Sequence, residues 1–76
     1  MATSQLQRHF GRVVRSRRER LGVSQEELAY RAQVHRTYIS ILERGVSNPT
    51  LTVISNLANA LETTIASLAR ELESSG

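Results

Sequence analysis

Residues Ser24 to Gly45, SQEELAYRAQVHRTYISILERG, constrain the fold of this chain more than any other stretch. Ser24 and Glu27 form a capping box, in which the serine hydroxyl accepts the Glu27 backbone N–H and the carboxylate reaches back to the Ser24 N–H. A helix is therefore expected to start near Gln25. Gly45 is placed to end a second helix through a left-handed C-cap. The stretch predicts two short helices joined by a tight turn.

Each of these helices has one apolar face. The apolar residues are Leu28, Ala29 and Ala32 in the first helix, and Ile39 and Leu42 in the second, with Val34 between them. Small alanines let another helix approach closely. Two helices this short cannot bury both faces of each, so one face of the second stays outside. Its outward residues are Arg36, Thr37, Tyr38, Ser40 and Arg44.

This outward face is rich in hydrogen-bonding groups and has no carboxylate before Glu43, which suits contact with base edges and phosphates. Arg36 is the best candidate for bidentate contact with guanine, and Thr37 for a base edge or a thymine methyl. Ser40 follows one turn later, and Tyr38 offers a hydroxyl. In the alternative interpretation, Tyr38 covers the edge of the core and Ile41 packs inside the domain.

The two helices make a helix-turn-helix motif, and the chain resembles the lambda-repressor-like, or XRE, family of bacterial and phage transcription regulators. Within that family it is most similar to the controller proteins of restriction-modification systems. The anchors of the resemblance are Ser24-Gln25, Leu28-Ala29, Arg36-Thr37-Tyr38-Ile39-Ser40 and Glu43-Arg44-Gly45. The resemblance extends from about Phe10 to Leu68. It implies a compact, all-α domain of five helices with the motif at helices 2 and 3.

Three residues depart from the family pattern. His35 stands where Ser, Thr or Asp usually caps the second helix of the motif, Glu62 stands where glycine is common, and Ile41 is apolar at an often polar position.

The resemblance also implies an ion pair between Arg18 and Glu43 that ties the first helix to the end of the third. In the alternative, Arg18 is free in solvent and Glu43 balances Arg44. Ser47 and Asn48, in the loop after Gly45, resemble family residues that touch the DNA backbone, although they are equally consistent with an ordinary turn.

The remaining backbone contacts are expected at the helix starts and just after the second helix of the motif. The positive N-terminus of the first helix, with Ser24 and the Gln25 side chain, is expected to meet a phosphate. His35 lies at the start of the second helix, near phosphates, and Arg44 belongs to the same outward surface.

Helices outside the motif follow from apolar spacing. Leu6, Phe10, Val13, Val14 and Leu21 predict a first helix from about Gln5 to Gly22, and Leu51, Ile54, Leu57, Ala58 and Leu61 predict the buried face of a fourth helix capped by Thr50. Thr64 is the cap of a last helix over about 65–74. Its apolar edge consists of Ile65, Leu68, Ala69 and Leu72. That edge either folds back on the core or pairs with a second copy, and we expect a homodimer interface there.

Length and composition narrow the function. The chain has 76 residues, which is one small domain near the lower limit for an apolar core. Nine arginines and four glutamates precede Val46, and one arginine and three glutamates follow, which gives +5 and −2 and recovers the net charge of +3. Arginines alone also keep a small protein soluble. Coupled to the two-helix motif, the basic half indicates double-stranded DNA as the partner.

Catalysis, metal binding and cofactors are not expected. There are no cysteines and no aspartates, and His9 and His35 are the two histidines, so no catalytic triad or metal-ligand spacing appears. No apolar run approaches the length of a membrane span, and the amino terminus does not have the character of a signal peptide. The expected location is the cytoplasm.

These observations predict a sequence-specific transcriptional regulator that acts as a homodimer on a two-fold symmetric operator, with RNA polymerase as a further candidate partner. Control of a restriction-modification system is the specific version of this prediction. The alternative function is that of an antitoxin or adaptor that binds a protein partner through its C-terminal helix.

Overall fold

The computed structural model describes residues 3–75, with side chains from 5 to 74, and folds them into five helices. These are α1 (Thr3–Leu21), α2 (Gln25–Ala32), α3 (Arg36–Glu43), α4 (Leu51–Ala60) and α5 (Ile65–Ser75). No strand occurs in this part of the chain. The predicted all-α, five-helix architecture is confirmed, and α1 begins two residues earlier than the apolar spacing indicated.

Three helices begin at the predicted hydroxyl caps. The Ser24 Oγ accepts the Glu27 N–H at 3.0 Å, the Thr50 Oγ1 accepts the Val53 N–H at 3.2 Å, and Thr64 caps α5 in the same way. The prediction of the second hydrogen bond of the capping box is wrong. The Glu27 carboxylate accepts a hydrogen bond from the Arg31 Nε at 3.0 Å, one turn along α2, instead of reaching back to Ser24.

In the described part of the chain, four residues at or just after helix ends lie in the left-handed region of backbone space, and two of them, Gln33 and Glu62, are not glycine. Gln33 ends α2 with φ 60° and ψ 43°, and Glu62 follows α4 with φ 59°. Because this region favours glycine, the conformation of Glu62 explains why glycine is common at that position in the family. Gly45 has φ +80° after α3, as its predicted role requires.

All five helices contribute to one core. Its buried residues are Phe10, Val13, Val14, Leu28, Ala29, Ala32, Ile39, Leu42, Leu57, Ala58, Ala60, Leu61 and Leu68. Val34, between α2 and α3, packs against this core from a partly buried position. The core thereby fixes α2 and α3 against the rest of the domain and leaves the opposite face of α3 outside.

A glycine allows α1 to cross the end of α3 at close range. A Cβ on Gly11 would stand 2.5 Å from the carbonyl oxygen of Leu42 and 2.8 Å from that of Glu43. A Cβ on Gly45 would stand 2.6 Å from the Cα of Arg8. Gly11, unfavourable for a helix in isolation, is therefore required for the backbone-to-backbone contact between α1 and α3.

The placement of Leu68 corrects the predicted dimer interface. Leu68 is 1% exposed and lies in the core of its own chain, so its assignment to a surface between subunits is wrong. At 3.6 residues per turn, Leu72, Ile65 and Ala69 lie about 40°, 60° and 100° around α5 from Leu68, all to one side. The apolar stripe of α5 is thus wider than a dimer interface requires. Its edge at Leu68 packs in the core of the same chain.

A carboxylate holds the other side of α5 against α1. Glu71 accepts hydrogen bonds from the Arg17 Nε at 2.7 Å and from the Arg20 Nη2 at 3.0 Å. Arg17, which the helical wheel places within the apolar stripe of α1, thus meets its carboxylate at the α1–α5 contact. α5 is consequently part of the folded protomer.

Candidate nucleic-acid interface

A buried ion pair joins α1 to the end of α3. The Arg18 Nε lies 2.6 Å from the Glu43 Oε2, and the Arg18 Nη2 lies 3.1 Å from the Glu43 Oε1. The side chains are 12% and 4% exposed, respectively. The Arg18 Nη1 also donates to the Val23 carbonyl at 3.0 Å. The structure therefore brings Arg18 and Glu43 together as a bidentate pair shielded from water.

Gln25, the first residue of α2, completes this cluster. Its Nε2 donates to the Glu43 Oε1 at 3.0 Å, so one carboxylate receives hydrogen bonds from both α1 and α2. The hydrogen bond with Glu43 raises the pKa of Arg18 above its ordinary value, while burial of the guanidinium acts in the opposite direction. The Arg18 guanidinium therefore stays charged, and α1, α2 and α3 are fixed at one point.

The outward face of α3 carries the residues predicted to read bases. Arg36 and Thr37 are exposed, whereas Tyr38 and Ser40 are half-buried. Ile39 and Leu42, on the opposite side, are buried in the core. The helix thus presents polar and cationic groups to solvent from a rigid apolar base. Ile41 is half-buried, so it does not pack fully inside the domain.

Residues predicted to touch the DNA backbone border this face. Tyr38, His35, Ser47 and Asn48 line one shallow depression, together with Val34, Thr50 and Val53. His35 is the N-cap of α3 and makes no side-chain capping bond, as its departure from the family pattern suggested. α3 and the loop after it therefore form one continuous surface.

Ser24, Gln25 and Arg44 occupy other parts of this border. Ser24 caps the exposed start of α2, and Arg44 is exposed immediately after α3. Gln25 is half-buried because its amide is held by Glu43. The start of α2 and the end of α3 thus supply polar groups around the same helix.

The positive charges at the two ends of α3 have no carboxylate partner in the described part of the protomer. Among the residues with described side chains, the arginines that lack a carboxylate partner are Arg8, Arg12, Arg36, Arg44 and Arg70. Arg36 and Arg44 therefore place free positive charge at both ends of α3. This arrangement attracts an anionic partner to the outward face.

An apolar groove on another face was not foreseen in full from the sequence. Leu6 is 46% exposed, Leu51 is 73% exposed and Ile65 is 42% exposed, and all three line one groove with Ala69 and Leu72. The sequence placed Leu51 on the buried face of its helix, which is wrong, because Leu51 begins α4 beyond the reach of the core. Leu6 likewise lies in the first turns of α1. Their exposure next to α5 indicates that the groove needs a cover.

The described residues hold no cluster of three or more potential metal-ligating side chains from His, Cys, Asp and Glu. In the same part of the chain, no helix combines the length and apolar character that a membrane span requires.

Comparison with known proteins identifies this architecture. Residues 9–72 match the family described as helix-turn-helix domain. The chain belongs to the helix-turn-helix domain family. It is 42% identical to Control protein C.BamHI of Bacillus amyloliquefaciens over 60 residues, which are 78% of this chain and 74% of that protein.

Solved structures agree with this assignment. The restriction-modification controller protein C.AhdI from Aeromonas hydrophila is similar with a TM-score of 0.78 and 38% identity, covering 90% of this chain and 96% of that one. The clp gene regulator ClgR from Corynebacterium glutamicum is similar with a TM-score of 0.88 and 31% identity, covering 92% and 74%. The resemblance to controller proteins is confirmed, and the chain is a helix-turn-helix regulator homologous to them.

Replacing Glu43 with Ala should destabilise the domain. Arg18 would be left as an unpaired, largely buried guanidinium, and the loss should be on the order of 3 kcal/mol in the free energy of unfolding. Thermal or urea unfolding without DNA measures it. Glu27→Ala is the control, because its pair with Arg31 is partly exposed and lies within one helix, so a loss under about 0.5 kcal/mol is expected. Equal stability of Glu43→Ala and the wild type would contradict a structural role for the pair.

Proposed function

We propose that this protein is a sequence-specific DNA-binding regulator of transcription that acts as a homodimer on a two-fold symmetric operator. The observation that carries the proposal is the outward face of α3, which is polar and cationic while the rest of the helix is anchored by the core and the Arg18–Glu43 pair. Similarity to C.BamHI and C.AhdI supports control of a restriction-modification system as the specific role.

In the proposed complex, α3 enters the major groove. Arg36 makes bidentate hydrogen bonds to a guanine, because its planar guanidinium matches the two acceptors on that base edge. Thr37 contacts a neighbouring base or a thymine methyl. Ser40 lies one turn further along α3, and Tyr38 offers its hydroxyl from the border of the same face. These side chains supply the sequence preference of the protein.

Contacts with phosphates set the register of α3 in the groove. One amide hydrogen of Gln25 is engaged by Glu43, which leaves the second for a phosphate at the N-terminus of α2. Ser24 and His35 add groups at the two helix starts. Arg44, Ser47 and Asn48 follow the backbone beyond the end of α3.

Dimerisation supplies the second recognition helix. The proposed interface is the apolar groove formed by Ile65, Ala69 and Leu72 of α5 with Leu6 and Leu51, which replaces the interface predicted from α5 alone. Burying this surface against a second copy removes large apolar side chains from water. Half-sites about 10 base pairs apart would place both α3 helices on the same side of the duplex.

The same groove carries the alternative function. An antitoxin or adaptor would cover Ile65 and Leu51 with a different protein instead of a second copy. RNA polymerase remains a candidate partner of the DNA-bound dimer, and the cytoplasm is the compartment that our proposal requires. The oligomeric state of the isolated protein separates the two functions.

If Arg36 reads a base and Gln25 contacts a phosphate, their substitutions should differ in how the loss of binding depends on DNA sequence. On a duplex selected from a random DNA pool by the wild type, Arg36→Ala should cost roughly 1–3 kcal/mol and relax the preference at one position. Gln25→Ala should weaken binding to the selected duplex and to random DNA alike, because its partner is a phosphate. Equilibrium binding to both duplexes is the measurement. An equal loss of Arg36→Ala on both would assign Arg36 to the backbone, and a loss of Gln25→Ala on the selected duplex alone would assign Gln25 to a base.

Substitutions on α5 inside the groove, in the core and outside both test the proposed dimer interface. Leu72→Glu and Ile65→Glu should give folded monomers, because a carboxylate in the groove opposes its burial. Leu68→Glu should unfold the chain, since Leu68 belongs to the core. Arg70→Glu, exposed on α5 outside the groove, is the control and should stay dimeric. Sedimentation at micromolar concentration with circular dichroism gives both readouts. Persistent dimers of Leu72→Glu and Ile65→Glu would place the interface elsewhere.

A further inference from the structure

The arginines of α1 divide into two groups along the helix. In its C-terminal half, every arginine meets a carboxylate at 3.1 Å or less, and the pairs are Arg15 with Glu19, Arg17 and Arg20 with Glu71, and Arg18 with Glu43. In its N-terminal half, Arg8 and Arg12 have no carboxylate partner among the described side chains. No carboxylate of the described part of the protomer therefore neutralises these two guanidinium groups.

Arg8 lies beside the end of the recognition helix. Its Cα is 2.6 Å from the point where a Cβ on Gly45 would stand, and Arg44 immediately precedes that glycine. The adjoining Gln7 lines the same groove as Asn48 in the loop after α3. The first turns of α1 and this loop therefore form one edge, and Arg8 and Arg44 are both exposed on it.

We propose that Arg8 and Arg44 together form a phosphate-binding site of the DNA backbone at the C-terminal end of α3. This inference rests on the proposed function and adds a second anchor to the one at Gln25. Arg8 packs against Gly45, the residue after Arg44, and neither arginine has a described carboxylate partner. A phosphate at this edge can accept forked hydrogen bonds from both guanidinium groups.

Arg12 provides the matched control on the same helix. It is also exposed and unpaired and lies one turn further along α1, but it lines a surface depression with His9, Ser16 and Glu71 of α5 that includes no residue of the loop after α3. Arg12 is therefore not part of the proposed site. A diffuse attraction to DNA would make Arg8 and Arg12 equivalent, whereas a phosphate site distinguishes them.

The salt dependence of binding to a random-sequence duplex measures the number of phosphate contacts. For Arg8→Ala, the slope of log K against log salt should become less steep by about 0.9 per protomer, which is one contact. Arg44→Ala should show a similar change, Arg12→Ala should keep the wild-type slope, and Arg8→Lys should restore most of it. The thermal midpoint without DNA should be the same for Arg8→Ala and Arg12→Ala.

Three results would overturn the site. An unchanged slope with a lowered midpoint for Arg8→Ala would show that Arg8 only stabilises the C-terminal carbonyls of α3. Equal slope changes for Arg8→Ala and Arg12→Ala would show a diffuse field. Failure of the wild type to bind any duplex would overturn the proposed function itself and this site with it, so the two failures are distinguishable.

Discussion

The ion pair and hydrogen bonds made by the buried Glu43 carboxylate are the interactions on which the rest of the structure depends. It lies at the end of α3, accepts a bidentate pair from Arg18 of α1 and receives the amide of Gln25 from α2. A small domain has few apolar contacts with which to fix three helices at one point, and a satisfied ion pair adds a directional constraint that apolar packing lacks. The orientation of α3 relative to the start of α2 follows from this cluster.

Side chains that stabilise the fold also position the groups proposed to contact DNA. Because the Gln25 amide spans Glu43 and the proposed phosphate, any shift of the Arg18–Glu43 pair moves a DNA contact as well. Gly11 serves the same end, since it lets the α1 backbone reach the last carbonyls of α3. The apolar groove adjoins the depression beside α3 at Asn48 but is lined by no residue of α3, so the proposed dimer contact leaves the outward face of α3 open.

Local features of the fold were predictable because they depend on neighbouring residues. The hydroxyl caps Ser24, Thr50 and Thr64 and the terminating Gly45 each act within a few residues, and all are found where the sequence placed them. The expected return of the Glu27 carboxylate to Ser24 was wrong, because Arg31 one turn later offers a charged donor to it.

Tertiary features needed more than the sequence pattern. The Arg18–Glu43 pair spans 25 residues and came from resemblance to a family, since charge and spacing alone also allowed a solvated Arg18. The inward position of Leu68 and the outward positions of Leu6 and Leu51 depend on how far the core extends, which helical periodicity does not encode. The proposed role of Arg8 likewise depends on the fold, which places Arg8 beside Gly45.

The central claim is that the rigid α3 surface, with the helix starts and loop that border it, is the part of the protein that meets DNA. Amide chemical-shift mapping of the labelled protein during titration with a duplex selected by that protein tests this most directly. We expect the largest changes at residues 24–25, 35–40 and 44–48, with Ile65, Ala69 and Leu72 of α5 unaffected. Largest changes along α5, with α3 unaffected, would contradict it.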